Sequence, residues 1–230
     1  MCDSQGFTVD ETFRFIGRTF EEYLAMFGLD AADVTDARIL DCPGGPSAFT
    51  AVASALGATV VAVDPAYGPT VSSLESECET AVTDTVAQLH AKRDLFIWEF
   101  YGDVETRGRY LRAASERFLA DYRRHPDRYV EAALPELPFD DDEFALTLSG
   151  NLLFLYDDRL STEFHHDALR ELCRVMSGEV RLFPLASLDR ERSRHVAPAV
   201  ERLRANGTDA EFRSVDYEFQ PGATEMLVLS

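Results

Sequence analysis

Between Glu11 and Leu29 the apolar residues Phe13, Phe15, Ile16, Phe20, Tyr23, Leu24 and Phe27 recur mostly at three- and four-residue intervals, the period of an amphipathic helix or helix pair. Residues 1–36 therefore read as an N-terminal helical cap. The pattern then shortens. Residues 37–41 (ARILD) read as a buried strand, the Gly/Pro cluster at 43–46 as a turn, and the stretch to Leu56 as a helix that Gly57 ends. Residues 59–64 (TVVAVD) are β-branched and bounded by Pro65, completing a strand, turn, helix, strand unit that implies a parallel sheet.

From 69 to 125 the strand pattern gives way to helical periods carried by Val71, Leu74 and Cys78, then by Leu111, Phe118 and Tyr122, which predicts a helical insert after the second strand. Strand patterns return at 129–133, 144–149, 180–185, 211–217 and 225–229, with helical stretches at 165–176 and 193–205 between the earlier ones. The last two strands flank Pro221-Gly222 and read as a hairpin. The whole is an α/β fold with a mostly parallel sheet.

At 230 residues with 46% hydrophobic content, the chain can bury the core of one domain, and no run approaches the roughly 20 apolar residues of a membrane span. The acidic start MCDSQGFTVDE lacks the positive charge of a secretory signal. Cys2, Cys42, Cys78 and Cys173 form no C-x-x-C pair, which fits a reducing cytoplasm. His165 and His166 would point to different faces of a helix and make a poor metal clamp, so no metal is expected. Charge says more. A net charge of −19, from 41 acids and 22 bases, disfavours nucleic acid and anionic membranes as partners and favours a small molecule. Only Lys92 among those bases is a lysine. The balance resembles that of proteins from salt-accumulating haloarchaea, where molar salt screens surface self-repulsion; a GC-rich genome accounts for the missing lysines but not for the acid excess.

No lysine follows Gly44 and Gly45, so a triphosphate-binding P-loop is unlikely chemistry here, and the third glycine of a dinucleotide fingerprint is missing. Instead Ile39-Leu40-Asp41-Cys42-Pro43-Gly44-Gly45-Pro46-Ser47, followed by Val61-Ala62-Val63-Asp64, resembles the first motif of class I S-adenosylmethionine-dependent methyltransferases. Pro43 and Ser47 stand at the positions of that family's first and third glycines, and Gly45 matches its own. Leu137-Pro138-Phe139 and the helical run Ala168 to Met176 with its Ser177-Gly178 turn resemble later segments of the same family, in the same order. The resemblance implies a Rossmann-like seven-stranded sheet with an antiparallel C-terminal strand and helices on both faces. It also implies S-adenosylmethionine as cofactor and methyl transfer to a small-molecule acceptor.

Chemistry assigns the residues. An acid ending the second strand can accept both ribose hydroxyls, which is the role expected of Asp64 beside Pro65. Gly44 and Gly45 remove Cβ atoms where backbone approaches the methionine part, flanked by Pro43 and Ser47, while Asp41 would hold the loop or reach the amino group. Ser149 and Gly150 end the fourth strand at the edge where ligands of such sheets bind, and Asn151, Tyr156 and His165 are the nearest polar candidates for positioning an acceptor or taking its proton. In the insert, Phe96, Trp98, Phe100 and Tyr101 precede a helix rich in arginine, from Arg107 to Arg128. This reads as a lid for an anionic or aromatic acceptor, with Trp98 the first of its inward-facing residues to test. Two other readings stay open: a non-catalytic cofactor-binding or interaction module on the same fold, and a nicotinamide-dependent oxidoreductase, which would want a glycine near Phe49 or Thr50.

Overall fold

Seven strands form one sheet in the computed structural model, which describes residues 13–230. They are β1 (Arg38–Asp41), β2 (Thr59–Val63), β3 (Tyr129–Val130), β4 (Phe144–Gly150), β5 (Met176–Phe183), β6 (Ala210–Ser214) and β7 (Glu225–Leu229). Their spatial order is β3-β2-β1-β4-β5-β7-β6. The first five run parallel, and β7 is inserted antiparallel to both β5 and β6. This is a Rossmann-like sheet with a helical insert after its second strand.

Strand alternation sends side chains to two helical layers. Leu40, Val63, Leu182 and Leu227 pack against Ala168, Leu169 and Leu172 of α6 (Thr162–Val175) and against Val196, Ala199 and Val200 of α7 (Val196–Ala205). Ile39, Val60, Leu148 and Val228 face the other way, onto α1 (Phe20–Phe27) and α3 (Phe49–Ala55). A short α2 (Ala31–Val34) leads into β1. The insert supplies α4 (Val71–Ala91) and α5 (Val104–Arg124), whose Leu74, Cys78, Phe118 and Leu119 close over Ala62, Tyr67 and Tyr129 at the β3 end. Among the described residues no helix is long and apolar enough to cross a membrane.

The N-terminal cap departs from its pattern. Glu11 and the residues before Phe13, Cys2 included, lie outside the described residues, and Phe13–Arg18 run as irregular chain, so that the helix begins only at Phe20. Two local causes are visible. Thr19 caps the helix through a reciprocal box with Glu22, which fixes its start. Gly17 lies so close to the β1 loop that an added Cβ would stand 1.9 Å from the Pro46 carbonyl oxygen. The predicted strand at 129–133 contracts to two residues, and Ser177-Gly178, read as a turn, lies within β5, which follows α6 directly.

Candidate functional site

Parallel strands end at one edge, and the chain emerges from it at Asp41, Asp64, Asn151 and Pro184. After β1 the peptide Cys42–Pro43 is cis and Gly45 adopts a left-handed φ of 52°. The loop is bolted to the end of β2. Gly44 N–H donates to the Val63 carbonyl (2.8 Å), and Gly45 N–H to Asp64 Oδ2 (3.0 Å). Ala66 N–H donates to Asp64 Oδ1 (2.9 Å), so the carboxylate is held by two backbone donors on a turn whose Pro65 is exposed. Tyr67, with 1% exposure, donates its hydroxyl to the Gly45 carbonyl (2.6 Å). A Cβ on Gly44 would stand 2.6 Å from that hydroxyl oxygen, so glycine is required by protein packing at this point. Asp64 is only 8% exposed, and burial raises its pKa against the opposing pull of its two backbone donors.

Asp41 does not bond the loop. Both its oxygens accept from the Tyr23 hydroxyl, each at 3.0 Å, and that hydroxyl lies 3.3 Å from Ser47 Oγ. Among the described residues no basic side chain bonds to it. Burial raises its carboxyl well above the usual range, and the Asp64 charge adds to the shift while the Tyr23 hydroxyl opposes it. An unfolded aspartate ionises near pH 4. The folded chain holds the proton more tightly, so stability present below that pH is lost as pH rises toward the folded pKa. Asp41→Asn is therefore expected to raise the denaturation midpoint at pH 7.5 and to leave it nearly unchanged at pH 4. An equal effect at both pH values would remove the electrostatic explanation.

An irregular strap of residues 14–18 lies on this loop. Arg18 N–H donates to Ser47 Oγ (3.2 Å), and Ala48 N–H to the Arg18 carbonyl (2.9 Å). Beside the strap opens a cavity of about 150 Å³, lined from five directions: Arg18 from the strap, Asn151 and Tyr156 after β4, Pro184 after β5, Leu95, Phe96 and Arg107 from the insert, and Tyr217 and Phe219 from the chain between β6 and β7. Asn151 holds a left-handed φ of 57° and accepts from Arg18 through Oδ1 (3.4 Å). Tyr156 is buried, and its hydroxyl accepts from Arg14 N–H (3.4 Å).

The other acceptor-side candidates sit elsewhere. His165 is fully buried on α6, its two ring nitrogens 2.8 and 2.9 Å from the Ser161 and Leu153 carbonyls and its ring stacked on His195. Burial lowers its pKa, and it packs rather than faces the cavity. Gly150 backs onto Phe27, an added Cβ falling 3.2 Å from that ring, and Ser149 is buried within β4. Trp98 donates to the Arg93 carbonyl (2.8 Å) and stands edge-on to Phe219, on the outer side of a wall whose inner face is Phe96. Of the insert's arginines, Arg107 reaches the cavity, while Arg123 and Arg128 pair with Glu75 and Asp121.

The pattern along the chain did not single out Glu22 or Tyr67, and it marked Arg107 only as one of a run of arginines. Glu22 is fully buried and accepts from Thr19 N–H (2.8 Å), from Arg107 (2.9 Å) and from the Tyr101 hydroxyl, with Arg18 Nε at 3.6 Å. The Thr19-x-x-Glu22 spacing signals a helix cap, not a buried charge.

No protein-family model matches the sequence. The chain is 30% identical over 215 residues to the uncharacterized protein MJ0045 of Methanocaldococcus jannaschii, covering 93% of this chain and 94% of that one. Among solved structures, magnesium protoporphyrin IX methyltransferase from Synechocystis PCC 6803 aligns at 14% identity and a TM-score of 0.48, over 91% of this chain and 76% of that one. The 1,6-didemethyltoxoflavin-N1-methyltransferase of Burkholderia thailandensis aligns at 16% identity and a TM-score of 0.46, over 91% and 76%.

Proposed function

The chain belongs to the same family as the Methanocaldococcus jannaschii protein, and we propose that it transfers a methyl group from S-adenosylmethionine to a small-molecule acceptor. The observation that carries this is the link between Asp64 and Gly45. It places an acid at the end of β2 and a glycine loop at the end of β1 side by side on the carboxyl edge, where ligands of such sheets bind. The antiparallel β7 supports the same reading, as the resemblance implies it.

The residues present fit the cofactor. Each Asp64 oxygen accepts one backbone N–H and keeps capacity for one ribose hydroxyl. Asp41 leaves a buried acid beside the loop without a cation, a place where an ammonium group would offset its burial cost. Gly45 and Ser47 would bring the loop backbone to the methionine part. When bound, the cofactor supplies an activated methyl carbon on a sulfonium. For an acceptor in the cavity, Asn151 and Tyr156 would orient the nucleophilic atom, and holding the reactants in line supplies much of the rate without an obligatory general base.

A second reading, a cofactor-binding or interaction module without turnover, is favoured by one feature: the protein's own Tyr67 and strap pack tightly against the glycine loop. Calorimetry separates the cases. S-adenosylmethionine and its demethylated product are expected to bind, and Asp64→Ala to weaken both by about 2 to 3 kcal/mol through loss of two charge-assisted hydrogen bonds. Unchanged affinity in a folded Asp64→Ala chain would return Asp64 to a turn-holding role. Binding without product across a broad acceptor panel would favour the module.

A further inference from the structure

The cavity beside the strap has a chemistry at odds with the rest of the chain. The protein carries 41 acids and 22 bases, yet the described residues lining this cavity include Arg14, Arg18, Arg107 and Arg190 and no aspartate or glutamate. Arg107 is 2% exposed and its neighbour Glu22 is fully buried. Glu22 is shared: Arg107 bonds it at 2.9 Å, and Arg18 approaches it at 3.6 Å. Two guanidinium groups share one carboxylate, so that Arg18, 17% exposed and bonded to the Gly17 carbonyl and Asn151 Oδ1, brings a second positive charge with no acid of its own beside the buried Arg107. The Nε atoms of both Arg18 and Arg107 are buried and make no hydrogen bond. Both residues line the cavity.

The walls add shape. Phe96, Tyr156, Tyr217 and Phe219 present ring surfaces around the same space. Arg190 lines it from the loop after β5, with a left-handed φ of 72° that a non-glycine residue rarely adopts. Strain of this kind tends to be kept where it aims a side chain.

We propose that this cavity takes the methyl acceptor and selects a flat ring bearing an oxyanion, seated on Arg18 and Arg107 with Arg190 at the rim. The assignment of the bound molecule as acceptor rests on the methyl-transfer reading; the anion site itself does not. Guanidinium forks suit either a carboxylate or a phosphate. The ring would stack among the aromatic walls, with its reactive atom directed toward Asn151 and the glycine-loop edge.

Calorimetric titration of the full chain with benzoate, phenyl phosphate and benzamide tests this. At least one of the two anions is expected to bind about 10- to 100-fold more tightly than the neutral amide, the range a charge-assisted hydrogen bond supplies. Whichever anion binds more tightly distinguishes carboxylate from phosphate. Arg107→Met removes the partner of a buried acid and threatens the fold, so Arg190→Ala, at an exposed position, and Arg18→Met are the diagnostic variants. Each should weaken the anion about tenfold and leave benzamide unchanged. Benzamide binding as tightly as both anions, or anion binding that survives both substitutions, overturns the site. Parallel titration with S-adenosylhomocysteine keeps the two readings apart. Anion binding without cofactor binding would leave the site and end the methyl-transfer reading; cofactor binding without anion binding would do the reverse.

Discussion

Glu22→Ala is expected to cost about 3 to 5 kcal/mol of folding stability, the range found when one partner of a buried ion pair is removed. Three donors and a second guanidinium converge on this carboxylate from three parts of the chain: Thr19 N–H, with Arg18 Nε at 3.6 Å, at the start of α1, Arg107 on α5, and the Tyr101 hydroxyl, which lies 2.7 Å from the Tyr217 hydroxyl beyond β6. Alanine leaves Thr19 N–H and the Arg107 guanidinium buried without this acceptor, while Arg18 keeps the Gly17 carbonyl and Asn151 Oδ1 and Tyr101 keeps Tyr217. Glu22→Gln keeps the cap to Thr19 and removes the charge, so its loss should be smaller. A denaturant midpoint series decides the matter: a loss under about 1 kcal/mol for Glu22→Ala would mean that water reaches these arginines and the network is not a buried pair. Glu22→Gln should also raise affinity for an anion in the neighbouring cavity, because one opposing charge is gone.

This network shows where reading the sequence stops. The sheet was legible because each buried strand carries its own signal: TVVAV and EMLVL are β-branched or aliphatic runs, and the structure places strands at 59–63 and 225–229. Local breakers such as Gly57 and Pro65 marked their ends. Over residues 13–18 the helical pattern does not hold, because Phe13, Phe15 and Ile16 sit at helical spacing while serving three different neighbours: Phe13 meets Tyr156, Phe15 meets Tyr67 and Phe118, and Ile16 lines the cavity. Periodicity reports which residues are apolar, and a strap buried on several sides satisfies the same count as a helix buried on one.

At the site, the residues that end the strands are legible in local pattern, while the specific contacts that cover them are not. Asp41, Gly44, Gly45, Ser47 and Asp64 lie at one edge because parallel pairing puts Asp41 opposite Ala62 and so sets the ends of β1 and β2 side by side. Tyr23 on Asp41 and Tyr67 on Gly45 are long-range pairings in a chain that holds 8 tyrosines, and nothing local distinguishes these two from the others. His165 misled for the opposite reason. Its sequence position after β4 was right for chemistry, but α6 turns it inward, with its ring nitrogens facing the Ser161 and Leu153 carbonyls.

The second large effect is expected at Phe118. It is fully buried on α5, stacked on Tyr67 at 5.7 Å and in edge contact with Phe15 and Tyr129. Phe118→Ala should cost about 3 to 5 kcal/mol, the sum of lost apolar transfer and a cavity that the surrounding rings, Tyr122 included, cannot fill by collapse. The loss should reach the cofactor side as well. Phe118 holds Tyr67, Tyr67 donates to the Gly45 carbonyl at 2.6 Å, and Gly45 N–H in turn holds Asp64. A loosened Tyr67 therefore frees the loop that would carry the ribose acid. Phe118→Leu, which keeps most of the apolar volume without the stacking ring, should retain more stability while still weakening S-adenosylhomocysteine binding. Measured together, denaturant midpoint and cofactor affinity separate packing from positioning: if both variants lose stability and neither loses affinity, Tyr67 is not the prop of the glycine loop, and the loop is held by its other bonds, to Val63, Asp64 and Arg18.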